Sequence, residues 1–170
     1  MRRNTGLIVA AIVAIAALVG MIAIVVLRRG SSETGSLPFA KTTRASAPFQ
    51  QFDEARVAVG DKCQRLLVAS TRAQRNEGLR AVRDLGPYAG MVFAFPGDSN
   101  ALFTMAQTPL PLDITWYDAH GQPVDRTRME PCEHGTDSTC PAYPSRKKYR
   151  YALEQRAGGG AAGPIGACAA

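Results

Sequence analysis

Histidine is scarce in this sequence, and the common sequence motifs of nucleophilic catalysis are missing from it. Its 170 residues include only two histidines, His120 and His134, and a single tryptophan. It has neither a Gly-x-Ser-x-Gly nucleophile elbow nor a Gly-rich phosphate-binding loop, and it shows no internal repeat. These absences leave no convincing set of residues for nucleophilic catalysis.

A basic surface is also missing from most of the chain, although the formal net charge is +6. Four arginines flank an apolar segment near the N-terminus, whereas residues 52–170 hold 14 Lys and Arg against 13 Asp and Glu. A protein that binds nucleic acid needs a basic face that neutralises phosphates. The local basic cluster between Arg146 and Arg150 is typical of a solvated loop. We therefore predict no nucleic-acid partner.

A long uncharged segment lies close to the N-terminus. The 22 consecutive residues from Gly6 to Leu27 carry no charge and are nearly all Ala, Val, Ile and Leu. A helix of this length spans about 33 Å, which is enough to cross the hydrocarbon core of a bilayer. A cleavable signal peptide has a shorter apolar region, of about 7–15 residues, and no good Ala-x-Ala site follows Leu27. We therefore predict a single membrane-spanning anchor in residues 1–29 that contacts lipid through residues 6–27, with a cleaved secretory signal as the alternative.

The cysteines indicate on which side of the membrane the rest of the chain lies. The positive-inside rule does not decide the orientation of the apolar segment, because similar numbers of arginines lie at its two ends. Disulfides persist outside the cytosol, and the chain has an even number of cysteines that could form them. These four cysteines are Cys63, Cys132, Cys140 and Cys168. We predict a single-pass membrane protein whose C-terminal domain is extracytoplasmic.

Composition divides the remainder into a linker and one folded domain. Residues 30–51 are rich in Ser, Thr, Gly, Ala and Pro without an apolar period, which predicts a flexible linker. Residues 52–170 predict a domain of short strands separated by turns, with one helix from Thr71 to Val82. We predict strands at Ala55–Val59, Cys63–Ala69, Met91–Phe95, Ala101–Met105, Leu112–Tyr117, Pro123–Met129 and Tyr149–Glu154. The predicted fold class is mainly β, a β-sandwich or jelly-roll-like barrel with one short helix.

The segment from Ala69 to Glu154 resembles a known protein family through several ordered blocks. These blocks are Ala69-x-Thr71, Arg75, Gly78-Leu79, Leu85, Gly90-Met91-x-Phe93-x-Phe95, Phe103-x-Met105, Thr108, Pro111-Leu112-Asp113-Ile114 and Leu153-Glu154. The family is Domain of Unknown Function 192, which has no settled activity. The resemblance implies a compact, mainly β, jelly-roll-like domain with one helix, which in many members follows a secretion signal or a membrane anchor.

The chain departs from that family's pattern at three places. Arg80 and Val82 stand where the family usually has Met and Arg. The stretch Thr104–Thr108 replaces Trp-Met-Lys-Asn-Thr, and Gly166-Ala167 replaces the usual Gly-Asp before the last strand. If the polar residues that family members share form a binding site, this chain has lost part of it.

Asp113 is the principal candidate among five possible binding residues. It lies within an alternating apolar strand, where a carboxylate can act as a general base, a ligand contact or a structural hydrogen-bond acceptor. We favour the structural role, with Arg75 as the partner to test. Glu77, Met105 and Thr108 complete the candidate set.

The loop between Cys132 and Cys140 also carries residue types that ligate metals. Cys132-x-His134 with Cys140 offers three ligands, but zinc sites more often contain cysteine pairs two to four residues apart. A disulfide between Cys132 and Cys140 is favoured over free thiols and over a metal site. Cys63 and Cys168 bridge if the first and last strands are neighbours.

These features favour a membrane-tethered domain of the cell envelope that binds a small ligand or an envelope protein, without a cofactor or a metal. The alternative is a hydrolase-like or metal-assisted enzyme that uses Asp113 with Cys132 and His134. The two differ in whether these groups converge on one open pocket.

Overall fold

The computed structural model describes residues 35–159 and 163–169. Among them no helix is long and apolar enough to cross a membrane. The predicted membrane anchor and the first residues of the predicted linker lie outside the described residues.

β-Strands are the main regular structure of the described residues. The strands are β1 (Thr42–Arg44), β2 (Asp53–Val59), β3 (Lys62–Ala69), β4 (Gly90–Ser99), β5 (Phe103–Thr104), β6 (Leu112–Tyr117), β7 (Pro123–Met129), β8 (Ala142–Tyr143), β9 (Tyr149–Arg156) and β10 (Ile165–Gly166). A sheet with the order β1-β2-β3-β4-β9-β6-β7 contains most of them, with β10 added beside β2, and β5 pairs with β8 separately. The mainly β prediction with one short helix is confirmed, and the sheets of the described residues are open.

One strand pair departs from the antiparallel pattern. β3 and β4 run parallel, with Leu67 opposite Met91 and Ala69 opposite Phe93. Parallel neighbours need a crossover connection, which here is the segment 70–89. The described helix, α1 (Arg72–Glu77), lies within this crossover.

The helix is shorter than predicted at its C-terminal end. Its start is fixed by a capping box, in which Thr71 Oγ1 accepts the Gln74 N–H at 3.2 Å and Gln74 Oε1 accepts the Thr71 N–H at 3.0 Å. The helix ends at Glu77 because Gly78 has a φ of +53°, which glycine adopts without steric cost. The prediction that it continues to Val82 is wrong, since residues 79–82 form turns instead.

The central strands bury side chains on both faces of the large sheet. On β4, Met91 and Phe93 belong to one apolar cluster, whereas Val92 and Ala94 belong to a second cluster on the opposite face. Trp116 packs in the first cluster. The central strands are therefore packed on both faces.

Part of the predicted linker packs against the domain. β1 pairs with β2, with Thr43 opposite Glu54, and the Phe49 side chain is buried against Tyr88 with ring centroids 5.6 Å apart. The folded domain therefore begins before Phe52. Short polar segments of this kind gain their order from tertiary pairing rather than from a local pattern.

Candidate functional site

A cavity of about 540 Å³ lies between the crossover, β4, the β5 region and the loop that contains Asp137. Volumes of this size are typical of sites for small ligands. α1 and the turn after it supply one side, and Phe93, Phe95 and Phe103 supply apolar surface. Leu102 also lines the cavity, and 62% of its surface is exposed, which is unusual for a large apolar side chain among the described residues.

The aromatic part of the cavity is held by ring contacts. Phe93 and Phe103 meet edge to face with centroids 5.1 Å apart, and Phe95 meets Tyr149 in the same way at 5.3 Å. A Cβ on Gly78 would lie 3.5 Å from the Phe93 ring, so the turn after α1 packs directly on that ring. These contacts hold the orientation of the rings in the cavity wall.

Glu154 is the buried carboxyl group of this cavity. It lies on β9 opposite Met91 of β4 and Ile114 of β6, and only 4% of its surface is exposed. None of the hydrogen bonds or ion pairs among the described residues involves its carboxyl group. Burial disfavours the ionised form and raises the pKa of Glu154 to about 8. At neutral pH the unliganded carboxyl group is therefore largely protonated.

Arg75 is held by backbone and aromatic groups at the edge of the cavity. Its Nη1 donates to the carbonyl oxygens of Ser70 and Ala94, the latter at 3.0 Å. Its guanidinium carbon lies 4.9 Å from the centroid of the Phe95 ring, a cation–π arrangement. These contacts tie the helix to β4.

Arg80 and Asp137 form the polar side of the cavity. Arg80 Nη2 donates to Asp137 Oδ1 at 2.6 Å, and the Thr104 hydroxyl donates to the same oxygen at 2.6 Å. The hydrogen bond from Thr104, followed by that from Arg80, lowers the pKa of Asp137. The Asp137 carboxylate is therefore ionised and already paired.

The structure separates the predicted binding residues into two groups. Glu77 and Thr108 line the cavity together with Arg75. The exposed Glu77 side chain accepts a hydrogen bond from Gln51 Nε2 at 3.2 Å, and Thr108 is buried. Met105 is buried in the apolar core beside the cavity rather than among its lining residues.

Asp113 lies outside the cavity. Its Oδ2 accepts the N–H of Gly158 at 2.8 Å, which ties the turn after β9 to β6. Its cross-strand neighbours are Arg128 and Gln155, so its side chain projects from the face opposite to that of Ile114. Asp113 thus has the structural acceptor role, with Gly158 rather than Arg75 as its partner.

The cysteines pair as the sequence suggests. Cys132 lies within bonding distance of Cys140, and Cys63 within bonding distance of Cys168, with Cα separations of 6.0 and 5.3 Å. The second bridge is possible because β10 pairs with β2, the neighbour of the strand that holds Cys63.

The cysteine loop does not form the constellation of the alternative enzyme. Cys132 is engaged with Cys140, and the His134 side chain is exposed. Cys132, His134 and Asp113 all lie outside the set of residues that line the cavity. Within the described part of the chain, no cluster of His, Cys, Asp and Glu is arranged to hold a metal.

Comparison with known proteins identifies the family. A family model matches residues 55–165, about two thirds of the chain, and is described as DUF192, an uncharacterized ACR. The chain belongs to the DUF192 family. No curated protein matches the chain.

Two solved structures share this fold. A protein of unknown function from Novosphingobium aromaticivorans DSM 12444 is 20% identical with a TM-score of 0.60, and the match covers 74% of this chain and 92% of that one. A proposed transcription regulator from Sinorhizobium meliloti 1021 is 24% identical with a TM-score of 0.55, and the match covers 66% of this chain and 91% of that one. At these identities the likeness shows a shared fold and nothing about function.

Sequence reasoning missed Glu154 as a site residue. It noted Leu153-Glu154 only as the last block of the DUF192 resemblance. The sequence also places Glu154 directly after the apolar run Tyr151-Ala152-Leu153, whose residues are all buried in the strand Tyr149–Arg156. A charged residue inside such a strand is rarely buried without a partner, and it marks a site worth inspecting.

Proposed function

We propose that this DUF192 domain is a membrane-tethered, extracytoplasmic binding module that takes a small ligand with an apolar body into the cavity at Glu154. The observation that carries the proposal is the buried Glu154 carboxyl group, which has no partner among the described residues and borders an aromatic-lined cavity.

The burial of the Glu154 carboxyl group has an energetic cost. Burying a polar group without hydrogen bonds costs about 1–3 kcal/mol, and a structural role would normally supply those bonds. Asp113 shows such a role, since it accepts the Gly158 N–H. Glu154 lacks it among the described residues but has open volume beside it, which supports a ligand as its partner.

The rings of Phe93 and Phe103 support a ligand with apolar surface. Small-ligand sites combine mostly apolar walls with a few converging polar groups. Here Glu154 and the edge of Arg75 are such groups. Since no second titratable side chain hydrogen-bonds Glu154 within the described residues, binding accounts for the arrangement better than acid–base catalysis does.

The envelope location rests on the sequence. The 22-residue uncharged segment supports a membrane anchor, and the two cysteine pairs at bonding distance support an oxidising compartment. If the anchor is real, sodium carbonate extraction leaves the full-length chain in the membrane fraction. Release of the intact chain into the soluble fraction contradicts the tether.

Ligand binding is testable with a fragment panel on the full-length chain in detergent. Small cationic, anionic and neutral fragments with aliphatic bodies are screened by saturation-transfer NMR. We expect binding that Ala101→Trp weakens by about tenfold or more, because the indole enters the cavity from an exposed position.

Ala119→Trp is the matched control. Ala119 is also exposed, but it lies in the turn between β6 and β7 and does not line the cavity. Its variant should bind fragments as the wild type does. A panel in which no fragment binds, or in which both variants behave alike, overturns the proposed function.

A further inference from the structure

We propose that the ligand is an alkylammonium compound, whose cationic amine binds the Glu154 carboxylate while its aliphatic body lies against Phe93, Phe95 and Phe103. This inference rests on the proposed function and names the chemical class that the cavity selects.

The positive charges that border the cavity are already engaged. Arg80 is paired with Asp137 at 2.6 Å, and Arg75 donates to backbone carbonyls and lies over the Phe95 ring. Neither arginine forms an ion pair with Glu154. A ligand cation would therefore supply the counter-ion that the described residues do not.

A buried carboxylate favours a cation over a neutral polar group, because a cation supplies the opposite charge that the ionised acid lacks. The Phe93 and Phe103 rings supply apolar surface for the aliphatic body. An ammonium also donates charge-assisted hydrogen bonds to a carboxylate, which are about twice as strong as neutral ones. Glu77 adds a second acidic group to the cavity wall.

The pH dependence of the binding affinity distinguishes an amine from a ligand that accepts a hydrogen bond. Burial raises the pKa of Glu154 to about 8, so amine binding must first remove a proton and strengthens as the pH rises. A carbonyl ligand would accept from the protonated acid and would weaken instead. The other charged groups that line the cavity are Arg75, Glu77, Arg80 and Asp137. Arginines stay charged over this range, and the lowered pKa keeps Asp137 ionised.

The decisive experiment titrates the full-length chain in detergent with n-butylammonium and, separately, with 1-butanol. We expect Glu154→Gln to weaken n-butylammonium binding by about tenfold or more and to leave 1-butanol binding within about twofold. Affinity for n-butylammonium should rise by about tenfold or more between about pH 6 and about pH 8.5 in the wild type. Glu130→Gln is the matched control, since Glu130 is exposed and does not line the cavity.

The outcomes distinguish the two proposals. In one outcome, fragments bind at the site that Ala101→Trp blocks, while the affinity for n-butylammonium neither falls in Glu154→Gln nor rises with pH. In that case the amine class is wrong and the binding function stands. If nothing binds, both fail. Should Glu154→Gln not fold, the pH dependence of the wild type decides alone.

Discussion

At the scale of single residues, Glu154 makes the stability of the domain depend on pH. Its pKa is about 8 in the folded chain and near 4.5 in the unfolded chain. Between these values the folded form holds a proton that the unfolded form has lost. The free energy of unfolding therefore falls as the pH rises through this window, and it is unaffected by this group below it.

Replacing Glu154 with glutamine removes that dependence. We expect Glu154→Gln to be more stable relative to the wild type at about pH 8 than at about pH 4.5, by a few kcal/mol. Urea unfolding of both proteins at the two pH values measures the difference, and the comparison cancels the other titrating groups. A stability difference that stays constant with pH contradicts the burial of an unpartnered acid.

Gly90 offers a second prediction at this scale, because it allows β4 to approach β9. A Cβ at Gly90 would lie 2.2 Å from the backbone oxygen of Glu154, whereas one at Gly97 on the same strand meets nothing within 4 Å. We expect Gly90→Ala to cost about 3 kcal/mol or more and Gly97→Ala less than about 1 kcal/mol. Thermal denaturation of the two variants checks this, and equal losses count against the strand pairing at Glu154.

At this scale the sequence predicts some of the cavity residues but not Glu154. Arg75, Glu77 and Thr108 were predicted as binding residues and do line the cavity. Glu154 was overlooked, because whether a carboxyl group on a buried strand has a partner depends on strands distant in sequence. Asp113 and Glu154 look alike as acidic residues in apolar strands, and only the pairing of β6, β9 and β4 separates their surroundings.

At the scale of elements, the disulfide loop positions part of the cavity wall. Asp137 lies between Cys132 and Cys140 and reaches Arg80 and Thr104 from there. Closing a loop of this size stabilises a fold by about 2.5 kcal/mol in the chain-entropy account. The bridge therefore reduces the freedom of Asp137 as well.

Removing this bridge tests its contribution. The double variant Cys132→Ala with Cys140→Ala should lose about 2.5 kcal/mol of stability. Amide hydrogen exchange should increase in residues 132–140 and at Arg80, while the strands stay protected. Unchanged exchange in this loop would show that the bridge does not hold Asp137 in place.

Helix α1 shows how far local patterns predict elements. Its start at Thr71 follows from capping chemistry that the sequence displays. Its end does not, because Leu79, Arg80 and Ala81, which follow Gly78, are all good helix formers. The end is decided by the left-handed backbone of Gly78 and Ala81 and by the hydrogen bond from Ala81 N–H to Gln107 O at 2.7 Å.

At the scale of the whole molecule, the second bridge joins distant parts of the sequence. Cys63 and Cys168 are 105 positions apart, so their bond restricts the unfolded chain more than the short loop does. The sequence allowed this pairing but could not require it, because it depends on β10 lying beside β2. The order of the segment before Phe52 likewise depends on a tertiary pairing, that of β1 with β2, which the sequence alone does not show.

The two bridges should therefore differ in their effect. Cys63→Ala with Cys168→Ala should cost about 5 kcal/mol in the chain-entropy account, roughly twice the loss for Cys132 and Cys140. Chemical denaturation of the two double variants gives the comparison. Equal losses would show that native contacts rather than loop closure determine what each bridge contributes.

The parallel pairing of β3 with β4 has an evolutionary consequence. It forces the chain to leave the sheet and return, and that excursion, 70–89, carries the side chains of Arg75, Glu77 and Arg80. Substitutions there change the wall of the cavity while the strand pairing can stay the same. Arg80 and Val82, which stand where the DUF192 resemblance predicts Met and Arg, both lie in that excursion. DUF192 members that keep these strands can therefore differ in the shape and charge of this cavity.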